Sequence, residues 1–467
     1  MKPSLIALAL SYITIAPVVV AAQTTAAGSA TDESTVVKND IETISVVGRA
    51  FSLYRPTEST FGTRTDTPLE KIPQSIQVIP QALISDQAAR QVTDLYSNIA
   101  GVNGFSYSGV TFRGFRQDEI LYDGVKGDPF SGFAVPQLFN IEQVAVLKGP
   151  SGAVYGSGNP GGIINYMTKK PSYDSKTTVA VELGNDDFFS AAVESTGSAN
   201  DAQTQAYRVG VYKDSDKPFR ENTSEDNTII DLGYRFDFNN DTNLVLQYTH
   251  VDQDLGGARL RGVPVDKNGN FIADISWNHN EATDYQTVIA DVFQASFQHQ
   301  FNEVFRSDIT ARYFSNDANQ NYHEPRGLSD TDGDGVLDWS EREFRDQQRE
   351  NTGLSFTANL IADTELAAMQ HVMLVGVDWY KHEFESAYRT AVQASKGGPV
   401  PGISILNPVY GLTSKDDYDL ANVTPRLAST ESTRIGLYAQ DQVDVTDKWN
   451  VTVGLRYDRF EDTDVLN

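Results

Sequence analysis

A compact α+β domain followed by an antiparallel β-barrel that crosses a membrane, with about half of the strands such a barrel needs, is the fold class this sequence predicts. Three observations predict it. Near Pro171 the chain changes from a mixed, glycine-rich stretch to a succession of segments that alternate strictly between apolar and polar residues. That alternation gives every segment one apolar and one polar face. The connections between segments take turns: short, then long and polar.

The N-terminus, MKPSLIALALSYITIAPVVVAAQ, has a charge at Lys2, an apolar run from Leu5 and small residues at Val20 and Ala22, the features of a secretory leader over residues 1–22. Pro17 interrupts the run, and no later stretch is apolar for long enough to span a bilayer as a helix. An integral membrane protein with this sequence must cross with strands. Residues 23–64 form an arm, small and polar up to Asp40. Within it Glu42, Thr43, Ile44, Ser45, Val46 and Val47, followed by Gly48, make a short β-prone island that a partner can add to the edge of its own sheet.

Residues 65–171 combine short strands with one helix. Ser85–Ala100 carries apolar residues at helical spacing and Gly101 stands where that helix stops. The segments 111–116, 120–125 and 144–150 read as strands closed by turns. The run VLKGPSGAVYGSGNPGGIINYMTKKP contains Gly156, Gly158 and Gly161 at GxGxxG spacing, but Pro160 and the β-like IINYM after it remove the strand-to-helix context of a dinucleotide site. Tight turns and close backbone approach remain as the reading of those glycines.

From residue 172 to 467 the alternation is continuous. Val179, Val181 and Leu183 interleave with Ala180 and Glu182, Leu244, Leu246 and Tyr248 with Val245 and Gln247, and Val451, Val453 and Leu455 with Thr452 and Gly454. Short turns at 239–242, 302–304 and 446–449 alternate with long loops expected at 253–284, 322–345 and 387–430. With strands of about ten residues this is the pattern of an outer-membrane barrel, although a soluble sandwich alternates in the same way.

Composition excludes several classes. The formal charge of −26 argues against nucleic acid and other phosphate-rich partners. Without cysteine there is no thiolate chemistry, disulfide or Cys-based zinc site, and the six histidines show no metalloprotease spacing. No nucleophile and base or carboxylate pair marks an enzyme. One metal motif stands out. In DTDGDGVLDWSE the residues Asp330, Asp332, Asp334, the Val336 carbonyl, Asp338 and Glu341 fall at calcium-loop positions one, three, five, seven, nine and twelve, with Gly335 at six. Crowded carboxylates repel unless a cation joins them; a solvated acidic turn is the alternative.

Residues 65–76 (TDTPLEKIPQSI), Phe112 to Phe115 (FRGF), Tyr122 to Gly124 (YDG) and the Lys148–Lys170 block closely resemble the plug of TonB-dependent outer-membrane receptors, in the ferric-siderophore branch, with the DTPxxKxPQS stretch most similar to hydroxamate receptors of ferrichrome type. The resemblance implies active uptake of a ferric siderophore into the periplasm, powered through TonB with ExbB and ExbD in the inner membrane. It makes residues 23–64 a periplasmic arm whose TonB box is 42–48, residues 65–171 the plug and residues 172–467 the N-terminal part of the barrel. It implies ligand contacts at the plug apices, at Phe105, Tyr107, Arg116, Gln117 and Phe130, where aromatics offer flat surface and Arg116 can meet chelate oxygens; packing of Tyr107 and Phe130 against the barrel is the alternative. It implies a plug–barrel lock at Arg113 and, where the family has a second arginine, Lys148.

Iron on this reading travels as the siderophore complex and no resident cofactor is required. Receptors of this class close with about 22 strands and about eleven can be counted here, so the chain is expected to be the first half of a receptor. Uptake of another scarce solute, such as a cobalamin or glycan, and a secreted calcium-binding β protein are the competing functions.

Overall fold

The computed structural model describes residues 54, 56–105, 109–117, 120–130, 134–150, 152–156, 160–257, 259 and 263–466. The leader at 1–22, the Glu42–Val47 island and Tyr107 lie outside the described residues. From Ala50 onward the chain forms one compact unit.

In the first domain, β1 (Glu58–Ser59) pairs with β2 (Thr67–Pro68). Then follow β3 (Ser75–Pro80), α1 (Gln81–Asp86), β4 (Val102–Gly104), β5 (Val110–Phe112), β6 (Phe115–Gln117), β7 (Ile120–Tyr122), β8 (Val125–Lys126), β9 (Ile141–Lys148), α2 (Gly152–Tyr155) and β10 (Gly162–Thr168). One sheet has the order β3-β9-β10-β7-β8 and a smaller one β4-β5-β6. The larger sheet is buried on both faces, which explains its nearly unbroken apolar runs. Val144, Val146, Ile164 and Tyr166 join Ile84 and Leu95 in one cluster, while Ala145, Leu147 and Ile163 join Phe61, Val154 and Tyr155 in the other.

Two of the sequence motifs are turns. Arg113 and Gly114 (φ 49° and 86°) join β5 to β6, and Asp123 and Gly124 (φ 50° and 79°) join β7 to β8, each a two-residue connection with both residues left-handed, matched to the twist of the strands. The glycine block is close approach: a Cβ on Gly161 would stand 2.3 Å from the Phe112 carbonyl oxygen, and one on Gly162 2.3 Å from that of Leu147.

The single helix expected over Ser85–Ala100 is not formed. Helix α1 ends at Asp86, Ala88 turns left-handed (φ 49°), and a separate 3₁₀ turn covers Val92–Asn98. The Asp94 carboxylate accepts from the backbone N–H groups of Arg90 and Gln91 at 2.9 and 3.0 Å, a local cap that starts a second element where periodicity alone suggests continuation.

The second domain comprises β11 (Lys176–Leu183), β12 (Phe189–Ser198), β13 (Gln205–Asp216), β14 (Ser224–Asn239), β15 (Thr242–Gly256), β16 (Tyr285–Gln300), β17 (Phe305–Ser329), β18 (Trp339–Leu366), β19 (Met369–Ala391), β20 (Ile403–Ser404), β21 (Arg426–Thr446) and β22 (Trp449–Leu466). All but β20 form one antiparallel path, open at β11 and β22 among the described residues; β20 adds to β18. The short turns fall where the sequence places them.

Two expectations need correction. The long strands from β14 to β22 run 15 to 28 residues, not about ten. About ten residues suffice to cross hydrocarbon, and the remainder continues beyond it as hairpin. The loop expected at 322–345 is likewise mostly strand, since β17 and β18 stay paired out to Ser329 and Trp339, leaving a connection at 330–338.

The polarity of this sheet is the reverse of a soluble one. Val209, Leu246, Phe293, Leu437 and Val453 are 43, 42, 52, 53 and 65% exposed, while Arg208, Gln294, Arg312, Asn316 and Ser355, from the alternate row, are at most 5% exposed. The apolar row faces outward and the polar row faces the first domain, the arrangement lipid requires and water does not. Among the described residues no helix is long and apolar enough to cross a membrane.

Candidate functional site

The first domain sits on the polar face of the sheet through contacts that converge from distant parts of the chain. Asp123, in the β7–β8 turn, receives the Thr168 N–H and hydroxyl at 3.0 and 2.7 Å, Lys170 Nζ at 2.8 Å and, from β16, Gln294 Nε2 at 2.8 Å. Arg312 of β17 donates to the Gly127 carbonyl at 3.0 Å and Asn316 to that of Pro129 at 2.5 Å. The Thr65–Pro68 motif is also a seat. Thr65 Oγ1 accepts from Gln442 of β21 at 2.7 Å and Thr67 Oγ1 donates back to Gln442 at 3.2 Å. Lys71 pairs with Asp444 at 2.6 Å and Arg64 with Asp378 at 3.1 Å.

The residues expected to lock the domains behave differently. Arg113 is exposed at its turn, and Lys148 donates to Gln77 within the first domain at 2.8 Å. Sequence reasoning missed Arg64 and Lys71, which do reach the sheet. Only the neighbouring Thr-Asp-Thr-Pro motif hinted that this segment has partners, and those partners lie more than 300 residues away.

Of the expected apical residues, Phe105 and Arg116 come together. The guanidinium lies over the aromatic ring, 5.2 Å from its centroid, and Phe105 and the neighbouring Phe115 are about half exposed. A flat ring carrying a cation is a surface for an oxygen-rich, partly apolar ligand. Gln117 is buried behind them, and Phe130 is buried in the core with Tyr122 and Leu138, where the packing alternative applies to it. Beside Phe130 is Asp128, which accepts from the Phe130 N–H at 3.0 Å and from the Tyr122 hydroxyl at 3.4 Å. Burial pushes its carboxyl up to about 6, against the opposing pull of that N–H and of Arg312.

Over the long-loop end, Arg259 and the segments 263–284 and 392–425 fold onto the β17–β18 hairpin with ion pairs inside. Arg342 donates to Glu281 at 2.9 Å and Arg259 to Glu324 at 3.1 Å, all four side chains at most 4% exposed. At the hairpin tip, carboxylate oxygens of Asp330, Asp332 and Asp334 lie within 4.8 Å of one another. Asp330 accepts from the N–H groups of Gly333 and Gly335, both at 2.7 Å, which hold its carboxyl below the usual range. Asp338 turns instead to Thr331, at 2.9 Å to its N–H, and Glu341 lies in β18, opposite Gly327. Three of the five expected carboxylates therefore converge.

A family model described as the TonB-dependent receptor plug domain matches residues 68–163, and one described as the TonB-dependent receptor-like β-barrel matches residues 249–466. The chain is 26% identical over 440 residues to the ferrioxamine receptor of Yersinia enterocolitica, covering 89% of this chain and 58% of that protein. It is 24% identical over 443 residues to the ferrichrome outer membrane transporter/phage receptor of Escherichia coli strain K12, covering 88% and 58%. The open form of the ferric-catecholate import receptor Fiu from E. coli K12 superposes with a TM-score of 0.78 at 22% identity, over 88% of this chain and 63% of that one. The chain thus spans a little over half the length of the curated relatives it matches. With plug and barrel models matched in order and a plug seated on a sheet whose apolar row faces outward, this chain belongs to the TonB-dependent receptors, a family of outer-membrane proteins.

Proposed function

We propose that this chain is the N-terminal part of an outer-membrane receptor that takes a ferric siderophore into the periplasm, with work supplied through TonB, ExbB and ExbD. The observation that carries the reading is the seated plug: it presents a half-exposed Phe105 ring beneath the Arg116 guanidinium, and is tied elsewhere to the polar side of a lipid-facing sheet. A scarce ligand must be held tightly, and a tightly held ligand is released inward only with external work. Glu42–Val47 is then the strand TonB adds to its own sheet edge, and residues 1–22 the leader. The relatives named for ferrioxamine and ferrichrome favour a siderophore over a cobalamin or glycan. The outward apolar row disfavours a secreted soluble protein.

The open sheet also bears on architecture. Backbone groups left bare at β11 and β22 would cost several kcal/mol each in hydrocarbon, so further strands close this half-barrel. Arg113, exposed at its turn, and Lys148 are assigned to acids on those strands. Iron is cargo here, and calcium at the Asp330, Asp332 and Asp334 tip, with Val336, Asp338 and Glu341 as the remaining candidates, stiffens an outer loop. The test is uptake and binding of radiolabelled ferric siderophore by iron-starved cells. Deleting residues 42–47 should abolish uptake and spare binding, whereas unchanged uptake without that segment refutes the energy-coupled reading.

A further inference from the structure

The outward face of the sheet is not covered evenly by bulky side chains. One row of residues, paired across the strands from β13 to β18, reads Tyr207, Tyr234, Leu246, Ala295, Ala311 and Phe356. The two alanines stand opposite each other on β16 and β17, and the next outward row toward the long-loop end carries Tyr248, Phe293, Tyr313 and Leu354. Rings and branched chains beside methyl groups leave a groove of about 630 Å³ with an apolar lining. Leu246, Phe293 and Leu354 at its rim are 42, 52 and 43% exposed.

One outward row farther toward the long-loop end, the apolar character stops. Asp291 of β16 stands directly opposite His250 of β15. Its carboxylate accepts from the Tyr248 hydroxyl at 2.7 Å and lies 2.9 Å from His250 Nδ1, and both contacts fall on Oδ1. The Asp291 side chain is 36% exposed, so Oδ2 is open to the surroundings. The two outward rows beyond it add Asp252, Asp317 and Glu350, then Asp226 and Asp254. Asp317 and Glu350 are direct cross-strand neighbours, as are Asp226 and Asp254, an arrangement that like charges oppose. Across these two rows from β13 to β18 the one cation is Lys213.

We propose that this groove holds a single membrane lipid whose headgroup carries an ammonium, with one alkyl chain laid over Ala295 and Ala311 and the ammonium at Asp291 Oδ2. Every lipid tail is as apolar as the groove, so burial by itself selects nothing. Shape does select, because a tail fills the space between the rings where a protein side chain is missing. Charge selects further: at the margin of hydrocarbon a carboxylate attracts a cation far more strongly than it does in water, and the acidic rows beyond it repel an anionic head. The site follows from the outward apolar row and is independent of which solute the receptor carries.

The full receptor, reconstituted in nanodiscs of equal parts phosphatidylethanolamine and phosphatidylglycerol and then released into mild detergent, can be weighed by native mass spectrometry. The parental receptor should retain one lipid, with phosphatidylethanolamine preferred about tenfold. Ala295→Phe fills the groove and should abolish retention; Ala295→Leu serves if the larger ring prevents assembly. Asp291→Asn keeps the groove and should retain a lipid with the preference lost. Equal retention of the two lipids by the parental receptor, a lipid still held by a folded Ala295 variant, or an unchanged preference in Asp291→Asn would overturn the site. So would a lipid-free dimer that Ala295→Phe separates, since the groove would then belong to a second copy of the chain.

Discussion

His323 Nε2 lies 2.8 Å from the Tyr418 hydroxyl, while Nδ1 of the same buried ring lies 2.9 Å from Asp284. The carboxylate on one side assigns the ring proton to Nδ1, so Nε2 accepts from the phenol. Strand β17 is thereby tied to both long loops, 263–284 and 392–425. Tyr418→Phe leaves that nitrogen buried without its donor and should loosen the second loop by about 1–3 kcal/mol. Hydrogen exchange should show the loss of protection across residues 400–420 while the strands below keep theirs.

Acid should open the same region. Burial, reinforced by the guanidiniums of Arg342, Arg220 and Arg259, holds His279 well below the usual imidazole range. The unfolded loop therefore takes up a proton that the folded loop refuses. Stability contributed by the neutral ring is full above about pH 6.5 and falls as the pH drops below it, by up to about 1.4 kcal/mol per unit. Protease nicking of 263–284 should rise between pH 6.5 and 5, and the rise should be smaller in His279→Asn.

Inside the plug the sign is opposite. Asp128 titrates near 6 in the folded plug against an ordinary 3.8, so the folded state binds the extra proton. Stability is greatest below about pH 4 with respect to this group and declines as the pH rises through 6, by at most about 3 kcal/mol. Asp128→Asn, which remains neutral, should remove that decline in a pH series of thermal unfolding.

The β18–β19 turn consists of Ala367 and Ala368, both left-handed at φ 53° and 61°. Side chains there are strained where glycine or asparagine would not be. Ala368→Gly should stabilise the sheet by about 1 kcal/mol, read as a higher midpoint in denaturant, with no effect on ligand binding.

For the acidic tip, calcium uptake with an affinity of about 0.1–1 mM is expected. Titration calorimetry should show one event that Asp332→Ala removes. The absence of any heat, or an event untouched by that substitution, would leave the tip a solvated acidic turn.

Much of the architecture was legible because lipid imposes a period of two on every crossing strand. The eleven strands of the path, their short turns and the break after the plug all follow from residue order alone. The hairpins at FRGF and YDG were not legible: 111–116 and 120–125 read as single strands, and each is turned back inside the segment by two left-handed residues, Arg113-Gly114 and Asp123-Gly124. Nor was the division of the predicted helix, because it depends on where Asp94 finds backbone N–H groups to accept from. The reach of β17 and β18 was also hidden: beyond the membrane the outward row becomes polar, and the strand signature fades although pairing continues.

What the sequence determined by itself, then, is a row of apolar side chains alternating with a polar one, and a glycine-laced domain before it; that the apolar row faces outward is read from the structure. Which plug residues hold that domain was decided by the tertiary structure. Arg64 and Asp378 are 314 positions apart, and Asp123 and Gln294 are 171. No local pattern records such a pairing. It exists only because the curved sheet brings its polar row round to meet the plug, where a buried charge must find its partner or pay the cost of desolvation alone.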